Sequence, residues 1–261
     1  MADRYLDQAI ALLALPELDE TAVHEVRVLM KQLRGLVRLY GSDELKPVVR
    51  EINVVLRDVA KVFAARRDAH VLAETLEQVA RRSNRRVAIE LRRILQEVTL
   101  QTADVLPELE PQSLVADLQR VRELWRGRLQ QPDDQFLADA LARSYRRNRR
   151  EGRMALRQRE IHALHDWRKR VKYFYYQLGV LDTPDEWLQR QKDMLRKLGS
   201  LLGKVHDLDV LDEYLWTTDT VDLVLLRHIS KRRVRLVKKI NALYLRVFAH
   251  PAKRYRRKLE T

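Results

Sequence analysis

The chain has 261 residues, with 51 Lys and Arg against 37 Asp and Glu, a formal net charge of +14, no cysteine, and only 7 glycines and 7 prolines. The lack of thiols excludes disulfide scaffolds, thiolate zinc sites, iron–sulfur clusters and cysteine nucleophiles. Scarce glycine and proline leave little from which to build Gly-rich nucleotide loops or long irregular segments.

Apolar residues recur at helical spacing almost throughout, and strand-like alternation is hard to find, so the fold class is all-α. The spacing predicts helices over 2–15, 21–41, 44–65, 67–82, 84–101, 112–131, 134–159, 161–181, 185–202, 206–217 and 220–249. Residues Gly41-Ser42-Asp43 close one helix and cap the next, Pro107 and Pro111 bracket a break, and Thr183-Pro184-Asp185-Glu186 reads as a Thr N-cap with Pro and acids in the first turn. The opening residues carry Asp3, Arg4 and Asp7 with no apolar run of signal type, and nothing later approaches about 18 uninterrupted apolar residues. The expectation is a cytoplasmic chain with no membrane partner.

The charge is unevenly placed. Residues 227–261 hold 13 Lys/Arg and one acid, and residues 143–176 hold 12 Lys/Arg and three acids, Glu151, Glu160 and Asp166. The remainder is net acidic. Segment 104–139 carries eight acids against four Arg, with Pro107, Pro111 and Pro132. It reads as an outer helical connection, since Leu114, Leu118, Val121 and Leu124 keep helical spacing. The organisation expected is a first helical repeat over 1–110, an acidic connection over 111–140 and a second repeat over 141–261, together forming one domain. Summed charge of this size points to an anionic partner.

Self-similarity supports the division. His24-x-x-Arg27-x-x-x-Lys31 resembles His165-x-x-Arg168-x-x-x-Lys172 at an offset of 141, and Arg67-Asp68 with Val71-Leu72 resembles His206-Asp207 with Val210-Leu211 at an offset of 139. At about 100° per residue, His24, Arg27, Lys31, Arg34 and Arg38 fall in one stripe about 80° wide, opposite Val26, Leu29, Leu33, Leu36, Val37 and Tyr40. Five neighbouring cations without an interleaved carboxylate forgo the i,i+4 pairing usual on a solvated face. Such a row suits phosphate, which takes bidentate bonds from Arg and point-charge contacts from Lys. Histidines in the row should have lowered pKa values and gain protons when a polyanion binds. Asp68 and Asp207 are suited to orienting one of the cations or capping a helix. In the second copy Tyr175 and Gly179 stand where Arg34 and Arg38 would be, so Arg170, Lys169 or other helices would have to compensate. No nucleophile with a base, Walker-type loop or dinucleotide fingerprint is present, so neither catalysis, a cofactor nor a resident metal is indicated.

These doubled motifs resemble the CHAD family, the conserved histidine α-helical domain, over about residues 5–250. The resemblance implies two pseudo-symmetric helical bundles forming one compact domain with a basic central groove or pore. It also implies binding of inorganic polyphosphate, association with polyphosphate granules, and no catalysis by the domain itself. Carried over on their motifs are His24, Arg27, Lys31 and Arg34, then His165, Arg168 and Lys172, and the later pairs Arg67-Asp68 and His206-Asp207. Arg38 extends the first stripe. Arg81, Arg82, Arg85 and Arg86, and Lys231, Arg232, Arg235, Lys238 and Lys239, look similarly placed to line the groove. Two alternatives stand beside this. One is a non-specific nucleic-acid binder using the same face, with Tyr173, Phe174, Tyr175 and Tyr176 as the one cluster able to stack bases. The other is an all-helical metal phosphohydrolase using His165, His206-Asp207 and Asp222, or His162 with His165. The basic run Lys253–Lys258 is read either as part of the site or as a disordered tail.

Overall fold

The computed structural model describes residues 1–63, 73–81, 85–102, 110–129, 131–158, 160–181, 185–217 and 223–260, and no strand occurs among them. The helices are α1 (Ala2–Leu13), α2 (Glu20–Val37), α3 (Lys46–Val62), α4 (73–80), α5 (Arg85–Thr102), α6 (Pro111–Arg128), α7 (Asp134–Gln158), α8 (Ile161–Leu178), α9 (Glu186–Thr217), α10 (Leu223–Val247) and α11 (Ala252–Arg257). The all-α expectation holds. Among the described residues no helix is long and apolar enough to cross a membrane.

Local chemistry sets the starts of these helices. Asp19 caps α2 by accepting a hydrogen bond from the Ala22 N–H at 2.7 Å. Asp185 caps α9, its two carboxylate oxygens accepting from Trp187 and Leu188 N–H. The cap of α9 is therefore Asp185 rather than Thr183, which lies outside the described residues.

The expected pair of helices over 185–202 and 206–217 is instead one helix of 32 residues. A glycine inside a helix costs only about 1 kcal/mol, and here the apolar series Leu195, Leu198, Leu202, Val205, Leu208, Leu211 and Leu215 runs through Gly203 without losing phase. Each buried Leu or Val is worth about 1.5–3 kcal/mol, so packing outweighs the glycine.

A large core joins α1, α2, α3, α6, α7, α8, the first part of α9, the last part of α10 and α11. A smaller core lies between α4, α5, the end of α9 and the start of α10. Helices α9 and α10 thus pass from one core into the other. The segment expected as an outer connection is helical as α6, which buries Leu114, Leu118 and Val121 and packs on α1 and α3. Ion pairs of Arg120 with Glu51 and of Arg126 with Asp3 fasten it there.

Helices α2 and α8 cross closely at Gly35. A Cβ there would stand 3.3 Å from both the Tyr173 carbonyl oxygen and the Tyr176 Cβ, and the Gln177 amide donates to the Gly35 carbonyl at 2.9 Å. The residues after 250 form α11, with Tyr255 1% exposed and stacked on Tyr145 at 4.0 Å between centroids. Of the two readings of the basic tail, the disordered one is corrected, because its aromatic residue completes the main core.

Candidate functional site

Helix α8 buries Leu164, Trp167, Val171, Phe174 and Leu178, which turns His165, Arg168, Lys172 and Tyr175 to one flank at steps of three and four residues. On α9, Arg196, Ser200, Lys204 and Asp207 repeat those steps. Between the two flanks lies a cavity of about 400 Å³, lined by Arg168, Lys172, Tyr175 and Tyr176 from α8, by these four α9 residues with Gly199 and Gly203, and by Gln78 from α4. Gly199 and Gly203 keep its floor open. A Cβ at Gly203 would have Arg168 Nε as its neighbour at 3.7 Å.

Four cations and one carboxylate, Asp207, line this cavity. Arg168 is largely withdrawn from water, and that burial draws its guanidinium below the usual arginine value, with the Asp207 charge as the main opposing influence. Asp207 therefore stands where an orienting acid was expected. Arg196 is partly engaged by Asp193 at 3.3 Å.

Beside the cavity the imidazoles of His165 and His206 meet, Nδ1 to Nδ1, at 3.0 Å, with ring centroids 4.3 Å apart. One of these nitrogens must carry a proton and the other a lone pair. Burial lowers the pKa of His206 to about 4, with Arg168, His165, Lys172 and Lys169 pushing the same way. His165 is lowered by burial, then by Lys169 and Arg168, against a raising influence of Asp166. Both directions agree with the expectation for histidines in a cationic row.

The other predicted residues disperse. His24 is exposed and lines a different cavity, between α1 and α2, with Arg4, Tyr5 and Gln32. Arg27 donates through Nη1 to the Ala60 carbonyl at 3.0 Å, and Arg34 donates through Nε to Asn53 Oδ1 at 3.1 Å, so both lean on α3. Lys31 is half-buried on the same helix. Arg38 lies over the Tyr173 ring, 4.3 Å from its centroid, in a cleft on the far side of α8. Arg81 pairs with Glu77 at 2.8 Å, and Arg85 is exposed at the start of α5. On α10, Lys231 and Arg235 are exposed, and Arg232 reaches the Gln78 carbonyl at 3.5 Å, which brings this helix beside the cavity rim. Lys238 instead borders a smaller, mainly apolar cavity with Leu156, Leu164 and Val237. Arg67, Asp68, Arg82 and Asp222 lie outside the described residues, as does the side chain of Arg86.

Of the compensations expected for the shortened second row, Arg170 and Lys169 do not line the cavity. Arg170 turns away from the cavity to pair with Glu151 on α7, because it stands about 200° around α8 from Arg168. Lys169 pairs with Asp166 at 2.7 Å. The remaining source expected, other helices, is the one that adds cations there, as Arg196 and Lys204 of α9. Their spacing of eight residues was readable only with α9 unbroken, which the expected gap after residue 202 concealed. The aromatic cluster divides, with Phe174 in the core and Tyr173 beneath Arg38, while the rings of Tyr175 and Tyr176 meet at 5.5 Å between centroids and border the cavity. Among the described residues no group of three or more His, Asp or Glu converges as a metal site.

The family model of the CHAD domain matches residues 2–183, which takes in α1 to α8. The α9 residues of the cavity lie beyond that matched stretch. Among curated proteins none matches the chain.

Proposed function

The chain belongs to the CHAD domain family, and from that premise we propose that it is a non-catalytic module that binds inorganic polyphosphate. The observation that carries the reading is the cavity between α8 and α9, where Arg168, Lys172, Arg196 and Lys204 face a single carboxylate over a floor of two glycines. Arg168 and Lys172 are half-buried beside the exposed Arg196 and Lys204, a gathering of like charge that favours a counter-anion, and a phosphate chain supplies negative oxygens at repeated intervals. Arg168 offers bidentate donors and the lysines offer point charges. The chain would enter past the His165–His206 pair, which gains a proton as the anion approaches, and leave along the basic face of α10 at Lys231 and Arg235. Together with the Arg27 and Lys31 side of α2, these residues would form the groove between the two repeats. Association with polyphosphate granules in the cytoplasm is the role that fits such a binder, and the family is associated with binding rather than catalysis.

Titrating wild-type protein and the double variant Arg168→Ala/Lys172→Ala with inorganic polyphosphate, from low to high salt, tests this. Wild-type affinity should fall steeply with salt, since counterions are released on binding, and the variant should bind far more weakly with unchanged helicity. Equal affinity of the two proteins, or insensitivity to salt, would refute the proposal. Competition with single-stranded nucleic acid at equal phosphate concentration separates the nucleic-acid alternative, for which Tyr175 and Tyr176 on the cavity wall would be the stacking residues.

A further inference from the structure

On the side of α8 opposite Arg168, Arg170, Tyr173 and Gln177 border a second cleft of about 1250 Å³, closed by the end of α2, the start of α3 and the middle of α7. By helical rotation these residues stand roughly 180° from Lys172 and Tyr175, so about 10 Å of helix separates the two cavities. Six cations line the cleft: Arg38, Lys46, Arg50, Arg120, Arg147 and Arg170. Three carboxylates answer them. Glu51 pairs with Arg120, Glu151 takes both Arg147 and Arg170, and Asp43 takes Lys46.

Among the described residues no carboxylate pairs with Arg38 or Arg50. Arg38 is the more telling of the two. Its guanidinium is half-buried over the Tyr173 ring and donates to the Arg34 carbonyl. Its charged neighbours are Arg34, Arg170 and Arg147, all of its own sign. A packed helix end needs no such gathering, since a neutral side chain could cover Tyr173 without the repulsion.

We propose that this cleft is a second anion site, distinct from the cavity between α8 and α9, that takes a compact oligophosphate group, with Arg38 as its half-buried anchor and Arg50 and Arg147 closing on it from α3 and α7. The site stands on its own residues and does not depend on the reading of the first cavity. Arg38 offers a planar donor fork at the base, while Arg50 and Arg147 are exposed and able to move onto the ligand. The triphosphate of a nucleotide and inorganic tripolyphosphate share this chemistry.

Calorimetric titration with tripolyphosphate provides the test. Wild-type protein should bind two equivalents, and Arg168→Ala/Lys172→Ala should keep one. Arg50→Glu/Arg147→Ala, changed at exposed positions that leave the core intact, should lose the other. Tripolyphosphate should also raise the melting temperature of Arg168→Ala/Lys172→Ala, and adding Arg50→Glu should abolish that rise. ATP in place of tripolyphosphate names the source, since equal affinity assigns the cleft to the bare phosphate chain and tighter ATP binding assigns it to a nucleotide. Two equivalents retained by Arg50→Glu/Arg147→Ala, or none bound by Arg168→Ala/Lys172→Ala with either ligand, overturns the second site. Failure of the first cavity would show separately, as long-chain polyphosphate binding that ignores Arg168 and Lys172.

Discussion

Acidifying the protein should weaken it through one pair of rings. His206 has a folded-state pKa of about 4 against 6.5 for a free imidazole, because it is partly buried and surrounded by Arg168, His165, Lys172 and Lys169. The folded value lies below the unfolded one, so the unfolded chain takes the proton first. Stability is full above about pH 6.5 and is lost as pH falls towards 4. Taken at full strength, this shift costs about 2 kcal/mol between about pH 7.5 and about pH 5. The ring is only half-buried, and solvent screening reduces the loss to about 1 kcal/mol. His165 is shifted the same way, and its contact with His206 admits a single proton between the two Nδ1 atoms. A second proton would set N–H against N–H. Urea denaturation of wild-type protein and His206→Gln at the two pH values isolates the effect, with the variant losing less stability by about 1 kcal/mol. Polyphosphate should reverse the trend in the wild type, because an anion stabilises the imidazolium and binding then takes up protons. Equal acid losses in the two proteins would refute the assignment of the titration to this ring.

Three further outcomes follow from packing. Gly152→Ala should lower the melting temperature, since its Cβ would meet Trp167 Cζ2 at 2.5 Å and Tyr244 Cε2 at 2.9 Å, a clash costing about 1–3 kcal/mol or more against about 1 kcal/mol of gained helix propensity. Gly203→Ala should instead stabilise by up to about 1 kcal/mol, its new methyl resting at ordinary distance from Arg168 Nε, whereas Gly203→Leu should fill the cavity floor and depress polyphosphate affinity in a binding titration without loss of helicity. Tyr145→Phe should cost about 1 kcal/mol in chemical denaturation, because the phenol donates to the His250 carbonyl at 2.9 Å and so ties the chain before α11 to α7.

The helices were legible in the sequence because a 3.6-residue apolar period is written locally, and α2, α6, α7 and α8 follow it closely. The interruption expected after residue 202 does not occur, and α9 runs through Gly203. The phase of the leucines on either side shows that nothing stops there. Local signals also left Lys253–Lys258 open between site and disordered tail, whereas Tyr255, alone among five cations, is held by Tyr145, Phe174 and Trp187. A single aromatic residue carries no period, so its burial is decided wholly by tertiary contacts.

The candidate site divides along the same physical line. Arg168, Lys172, His206 and Asp207 could be named in advance because the doubled motif marks them, but a stripe on one helix does not say what faces it. The row from His24 to Arg38 spans about 21 Å of axis, and over that length α2 passes from α1 to α3 and then to α8. Successive cations therefore meet different neighbours: Ala60 for Arg27, Asn53 for Arg34 and Tyr173 for Arg38. Helix α8 divides its cations more sharply still, sending Arg168 and Lys172 to one cavity and Arg170 to the other. A run such as Arg168-Lys169-Arg170 is one patch in sequence and three surroundings in space, since 100° between neighbours carries each side chain to a different face. Positive charge concentrated on a helix that packs on both sides thus yields two separate cationic surfaces rather than one.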